Sequence, residues 1–481
     1  MVFSLSLNSK VGAQSDSIVL EAEQHWDTWG SGGTCIGGGH NLAIADVNGD
    51  GVKEIITGGS AYNHLPNGSR SLRIAPFKIW TWNGSKLVLE KATNWTGSIS
   101  CVCVGDVDGD GKPEIITAGR AINDTGTFYA LKIWSLDNNH LVLLATSPGN
   151  ITVSAVAIGQ GSDGKPEIVA IGSSLSENHY QTQFSIWQFD KTAATLRRSF
   201  ADINQSERTY SVGAYDFDND GASEIVTCGY SGDLKNSTGL LRVWQWDGQN
   251  LSLAGVNKWR MVDGYAFDSA GSIQGNTVAK TLKIADVDGD GVPEIVTSGF
   301  TYDGSKVDGQ LRIWNWTGNT LNLEKGQEWI DRDISEHISI SINDVDGDGK
   351  SEIVTSGYTT VYGGFSANAE EQSRASLRVW GWDGEHLTLE KSQDWTGGQA
   401  DSAWNVGTGD VDNDGTVEII TVGCMTDDRL DCDPNMRILS ISSIASSPFP
   451  YYALAIIVVA LAIAGVLVAA FLFAKRKHQS K

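Results

Sequence analysis

The sequence predicts an all-β protein: a seven-bladed β-propeller whose N-terminal strand closes the last blade, plus one C-terminal transmembrane helix. Three observations predict it. An acidic nine-residue motif, typified by DVDGDGKSE at 344–352, recurs about every sixty residues. Each interval between copies carries several short runs of alternating apolar residues rich in Val, Ile and Trp, the period of strands and not of helices. A run of apolar residues without a charge, 451–474, stands near the C-terminus.

Residues 1–17 come first. MVFSLSLNSKVGAQS has no early positive charge and no long apolar stretch, though VGAQS resembles a cleavage site. Two readings stand: a remnant of an export signal, or a tail-anchored chain whose large domain faces the cytoplasm. Sequons at Asn67, Asn83, Asn94, Asn123, Asn150, Asn204, Asn236, Asn250 and Asn315 favour export and a glycoprotein.

Residues 18–442 hold the repeat. The motif begins at Asp46, Asp106, Asp216, Asp286, Asp344 and Asp410, with a degenerate copy, GQGSDGKPE, from Gly159. Start-to-start steps are 60, 53, 57, 70, 58 and 66 residues, so the chain is seven units. Each unit reads as an apolar run, the acidic loop, a β-branched run such as EIVTSG, then LRVWGWDG and HLTLEKSQDW. Four short strands per unit, seven times over, describe propeller blades. The seventh unit stops after MRILSIS without its fourth strand. That strand is found at the start of the chain, as IVLEAEQHW at 18–26, which matches LTLEKSQDW at 387–395. Closing a ring in this way removes exposed sheet edges. The paired tryptophans Trp80/Trp82, Trp244/Trp246, Trp314/Trp316 and Trp380/Trp382 share one face of one strand position, which suits packing between blades better than a sugar-binding row.

A linker, 443–450, leads to the transmembrane helix, 451–474. At about 1.5 Å per residue that run spans roughly 36 Å, against a hydrocarbon core of ~30 Å. The tail KRKHQSK, 475–481, is basic and belongs on the cytoplasmic side, which places the N-terminal domain outside the cell. The formal charge of -23, from 35 Lys+Arg against 58 Asp+Glu, argues against nucleic acid as a partner. Six cysteines are too few for a disulfide scaffold; Cys424 and Cys432 flank a short loop and are either paired or free buried thiols.

The acidic loops are the candidate site. Two carboxylates ~4 Å apart repel by about 4 kcal/mol at an effective dielectric of 20, unless a cation lies between them. Alternate acids wrapped around a glycine turn make an oxygen cage, which suits Ca²⁺; Mg²⁺ demands a stricter octahedron. Side chains at positions 1, 3, 5 and 9 and the carbonyl at position 7 are the expected ligands. They are Asp46, Asn48, Asp50, Val52 and Glu54; Asp106, Asp108, Asp110, Lys112 and Glu114; Asp216, Asp218, Asp220, Ala222 and Glu224; Asp286, Asp288, Asp290, Val292 and Glu294; Asp344, Asp346, Asp348, Lys350 and Glu352; and Asp410, Asp412, Asp414, Thr416 and Glu418. The loop is not an EF-hand, which closes at position 12 between helices. The third unit, with Gly159 and Gly161 at acid positions, is expected to bind weakly or not at all. The six fuller loops hold 23 carboxylates, and six bound Ca²⁺ would bring the formal charge from -23 to about -11, coupling folding to metal.

On these loops the chain resembles the FG-GAP (VCBS-type) repeat family, found in the integrin α-chain head and in many bacterial and archaeal surface proteins. The resemblance covers about 18–442. It implies Ca²⁺ in the hairpin between a blade's first two strands and ligand recognition on the opposite face. The literal FG…GAP signature is blurred here, and no leg domains or inserted ligand-binding domain follow, so an integrin proper is not implied. The long, varied stretches 58–71, 261–280 and 357–376 lie on the face opposite the acidic loops, where a rigid scaffold usually places binding. The expected function is a calcium-stabilised cell-surface adhesion or binding protein for an extracellular protein or glycan. A calcium-dependent polysaccharide lyase or other carbohydrate-active enzyme is the alternative, and a structural cell-envelope protein the third. No GxSxG, HExxH, CxxC or Walker pattern marks a catalytic centre, and His40, His64, His179 and His337 read as isolated surface or loop residues.

Overall fold

The computed structural model describes residues 17–25, 34–35, 40–61, 73–123, 126–137, 139–149, 152–176, 179–191, 193–201, 207–232, 237–260, 276–302, 306–361, 373–397, 401–426 and 432–442. Among them the regular secondary structure is all strand, in several antiparallel sheets, with no helix. No helix of the described residues is long and apolar enough to cross a membrane. The expected transmembrane helix at 451–474, the linker, the basic tail and residues 1–16 lie outside the described residues.

The repeat resolves into four-stranded units with one internal order. Unit four is a clear case: Glu207–Tyr215, Glu224–Ser231, Thr238–Trp246 and Leu251–Trp259 pair in sequence, each antiparallel to the last. Unit three repeats this with Thr152–Gln160, Pro166–Ser176, His179–Phe189 and Ala194–Ala201. Units one and two merge because one continuous strand, Leu87–Gly105, pairs with Ile74–Trp82 through its first half and with Glu114–Asn123 through its second. Units five and six, from Asn276 to Trp329 and from Ile334 to Trp395, are joined by one parallel bridge between Val307 and Ile334.

Unit seven draws on both ends of the chain. Asp401–Gly409, Glu418–Thr426 and Cys432–Ser442 pair in order, and Ser17–His25 forms the outer edge beside Cys432–Ser442. An ion pair fastens that edge: Arg437 Nη2 lies 2.8 Å from Glu23 Oε1. The same arginine position on the third strand recurs as Arg312 with Glu328 and as Arg378 with Asp394, so the pairing of third and fourth strands is written in charge as well as in hydrogen bonds.

The first strands of the units lie side by side. Leu42–Ala45 touches Leu87–Gly105; next come Thr152–Gln160, Glu207–Tyr215, Asn276–Ala285, Ile334–Asn343 and Asp401–Gly409, which touches Leu42–Ala45 again. All seven line one cavity of about 440 Å³. Between units the core is apolar. Trp314 and Trp316 of unit five pack with Val226, Leu241 and Val243 of unit four, and Trp380 and Trp382 of unit six with Val296, Leu311 and Ile313 of unit five. The paired tryptophans are therefore interfacial. The first of each pair also donates to the threonine of the EI-x-T run: Trp314 Nε1 to Thr297 Oγ1 at 3.0 Å, and Trp244 to Thr227 at 2.9 Å. The alternation of Trp and Thr thus supplies both apolar area and a buried polar partner.

The glycine that ends EIVTSG has a steric cause. The first strand of the unit carries a bulge, as between His337 and Ser339, which pushes its backbone toward the second strand. A Cβ at Gly357 would lie 1.8 Å from the Glu336 carbonyl oxygen; at Gly229 and Gly423 the same contact falls at 1.9 and 1.8 Å. Gly326 is the contrast, with nothing nearer than 3.5 Å. Gly357→Ala should therefore lower stability by at least about 3 kcal/mol, and Gly326→Ala by under about 1 kcal/mol, as read by denaturant unfolding. Equal effects of the two would contradict this origin of the repeat glycine.

Candidate metal centres

Each acidic loop is held between the end of a unit's first strand and the glutamate that starts its second. Two backbone positions explain its composition. The fourth residue is left-handed in all six fuller loops, with φ between 59° and 80°, and is Gly49, Gly109, Gly289 and Gly347 or Asn219 and Asn413. Asparagine is the non-glycine residue that best tolerates this conformation, so DGDG and DNDG are one loop. The sixth residue, Gly51 and its equivalents, has φ of 85–91° and is glycine throughout.

The acids are organised by the backbone. In all six loops the sixth residue's N–H donates to Oδ2 of the first aspartate at 2.8–3.0 Å. The seventh residue's N–H donates to Oδ1 of the fifth-position aspartate at 2.7–3.0 Å. The second residue's N–H donates to Oε2 of the closing glutamate at 2.8–3.1 Å. These donors aim the carboxylates inward at one another. Oxygens of Asp106, Asp108 and Asp110 lie within 4.8 Å of each other, as do those of Asp216, Asp218 and Glu224, of Asp286, Asp288 and Asp290, and of Asp344, Asp346 and Asp348. Clusters of this kind could hold a metal ion. In the first loop Asn48 takes an acid's place, and its Nδ2 donates to Asp50 at 3.0 Å and to Glu54 at 2.6 Å.

Crowding shows in the closing glutamates. Glu54, Glu114, Glu294, Glu352 and Glu418 are 1–4% exposed. Burial, and then the charges of the neighbouring aspartates, push each of their carboxyls up to about 7; Glu224 is raised for the same reasons. The donated backbone hydrogen bonds oppose this but do not cancel it.

The degenerate third loop is built differently. Gly161 N–H donates to the Lys165 carbonyl at 2.8 Å, so the backbone closes on itself. Glu167 is buried and accepts the Trp246 indole N–H at 2.8 Å from the next unit. Asp163 faces Gln188 at 3.3 Å and Arg197 at 4.0 Å.

One group of acids was not anticipated from the motif. Glu390, on the fourth strand of unit six, brings its carboxylate within 4.8 Å of Asp346 and Glu352. Its signal in the sequence is the glutamate of the L-x-L-E run, present as Glu21, Glu90, Glu324 and Glu390.

The histidines also differ from expectation. His337 is not a surface residue: it is fully buried, with its ring nitrogens 2.9 Å from Thr355 Oγ1 and 3.1 Å from Ser376 Oγ. Burial, with Arg378 nearby, holds its pKa well below the usual value. His40 lines the cavity, and burial and Lys283 lower it to about 4. Cys424 is disulfide-bonded, while Cys101, Cys103 and Cys228 are free.

No protein-family model matches this chain, and no curated protein matches its sequence.

The raised glutamates set a pH dependence. Between about pH 4.5 and 7, the folded chain stripped of metal holds protons that the unfolded chain has released, so stability falls as pH rises through that window. In excess chelator the thermal midpoint should drop by several degrees from about pH 5 to about pH 8. Saturating divalent metal should abolish the drop. A midpoint in chelator that is flat or rises over this window would contradict the assignment.

Proposed function

We propose that this chain is a calcium-stabilised, membrane-anchored surface protein of the FG-GAP type. On this reading the seven units form a closed propeller, and an extracellular protein or glycan is bound on the face opposite the acidic loops. The observation that carries the proposal is the near-identity of the six loops. The same three backbone-to-carboxylate hydrogen bonds recur in each, and each gathers hard oxygen donors at one hairpin. Such donor sets suit Ca²⁺, with Asp, Asp or Asn, and Asp at positions 1, 3 and 5, the seventh carbonyl and the closing glutamate as ligands. A site repeated in unit after unit is a structural rivet rather than a catalytic centre: the bound ion would neutralise the acids and pin each hairpin.

Antiparallel order assigns the ends of each unit. The loops between first and second strands and between third and fourth strands share one end. The ends of the second and fourth strands share the other. The last strand, Cys432–Ser442, runs toward the acidic-loop end, and a short linker separates it from the apolar run at 451–474. Among the sequons, Asn83, Asn94 and Asn250 are exposed, as glycan acceptors on an exported domain must be.

Two measurements test this. The full-length protein should stay with membranes through an alkaline carbonate wash, and deletion of 451–474 should release it. Detergent-solubilised protein should bind members of a glycan array or a defined surface protein saturably, with binding lost in chelator, and should yield no unsaturated sugar products. Release of such products from a polysaccharide would favour the lyase instead.

A further inference from the structure

In units one to six a bulge interrupts the pairing of the third and fourth strands at one position. Val379 pairs with Lys391 and Trp380 with Leu389, which leaves Glu390 unpaired; the same gap leaves Glu90, Leu144, Arg197, Ala254 and Glu324 in their units. A bulge re-aims its side chain. In units three, five and six it aims at the acidic loop of its own unit. The Glu390 carboxylate joins Asp346 and Glu352. Glu324 takes a hydrogen bond from Asn315 and feels the charges of Asp288 and Asp290. In unit seven the matching Glu21 acts on Asp412 and Glu418.

Lys391 acts on Asp346 and Glu390 at the unit-six loop; among the described residues, the loops of units two and three meet a cation of the chain in an ion pair. In unit three, the unit whose loop lost two acids, the bulge residue is Arg197, beside Asp163 at 4.0 Å. Its Nη1 also donates to Gln188 Oε1 at 3.2 Å, and Gln188 reaches Asp163. In unit two the bulge residue is Leu144, and a lysine arrives from next door. Lys191, in the turn between the third and fourth strands of unit three, places its Nζ 3.1 Å from Asp110 and 3.5 Å from Asp108. Its backbone is left-handed, with φ of 73°, a conformation that few non-glycine residues adopt.

We propose that the bulge residue ranks the loops as cation sites. Units five, six and seven, whose bulge glutamate acts on the loop, hold the divalent ion most tightly; in unit one the bulge glutamate, Glu90, accepts from Thr81 instead. Unit two, with Leu144 and the Lys191 ammonium in competition, holds it least. Unit three holds none and uses the Arg197 guanidinium instead. The assignment rests on the calcium proposal above and adds to it an order of affinity and a contact between neighbouring units that metal displaces.

The test uses full-length protein in detergent, stripped with chelator and titrated with Ca²⁺ alone by calorimetry, with ions counted by native mass spectrometry. The wild type should take six ions, one of them at least ten-fold weaker than the tightest. Asp108→Ala should remove that weak ion. Lys191→Ala should tighten it by on the order of ten-fold, the effect of removing a like charge about 4 Å from the site at a well-screened surface. Glu390→Gln should weaken one tight site by a similar factor. Because Lys191 is more than half exposed, its variant should fold as the wild type does. Seven bound ions, or a weak site that ignores Lys191→Ala, would overturn the ranking while leaving calcium in place. Binding of no ion at all would instead overturn the calcium proposal.

Discussion

Repulsion among carboxylates held a few ångströms apart is the constraint on which the rest of this structure depends. In each fuller loop the backbone N–H groups hold the acids in place, and in four of them carboxylate oxygens lie within 4.8 Å of one another. The hydrogen bonds that shape the loop therefore also concentrate its charge. Burial and the neighbouring acids push the carboxyls of five closing glutamates up to about 7, and raise that of Glu224 as well. A divalent cation held by these acids would relieve the same strain without protons, at the point where the first and second strands of a unit meet. Loop geometry and strand pairing form one element, and a cation would couple them further.

That element is connected to the core through its last residue. The closing glutamate opens the second strand, the most deeply buried strand of the unit, and the Thr and Gly that follow meet the tryptophan of the third strand and the bulged backbone of the first. Charge at the hairpin is thus transmitted to the interface between neighbouring units, where the tryptophans pack. The same interfaces connect the first and last units, and Arg437 with Glu23 secures the strand that comes from the other end of the chain.

Much of this was legible in the sequence because it repeats. The acidic motif, EI-x-T-x-G, W-x-W and L-x-L-E are local patterns, and seven imperfect copies reveal which positions are under the same physical demand. The alternation of Gly and Asn at the fourth loop position was visible, but its cause, a left-handed backbone, was not. Nor was the reach of Glu390, because a bulge changes where a side chain points without changing the sequence period, or of Lys191, which comes from a turn of the neighbouring unit. His337 escaped for a related reason: an isolated histidine carries no pattern, and only the neighbouring strands show that Thr355 and Ser376 wait for its two nitrogens. The long stretches 58–71, 261–280 and 357–376 carry no repeat, and periodicity assigns them no role.

Refolding from denaturant tests the central claim most directly, because it asks whether the hairpins can form before their charge is neutralised. Denatured full-length protein diluted into detergent buffer near neutral pH should regain its native near-ultraviolet signal with Ca²⁺ present and fail to do so in excess EDTA, with recovery restored by adding the ion back. Equal and complete refolding with and without the ion would show that the crowded acids need no cation, and would contradict a fold that closes only once its hairpins are neutralised.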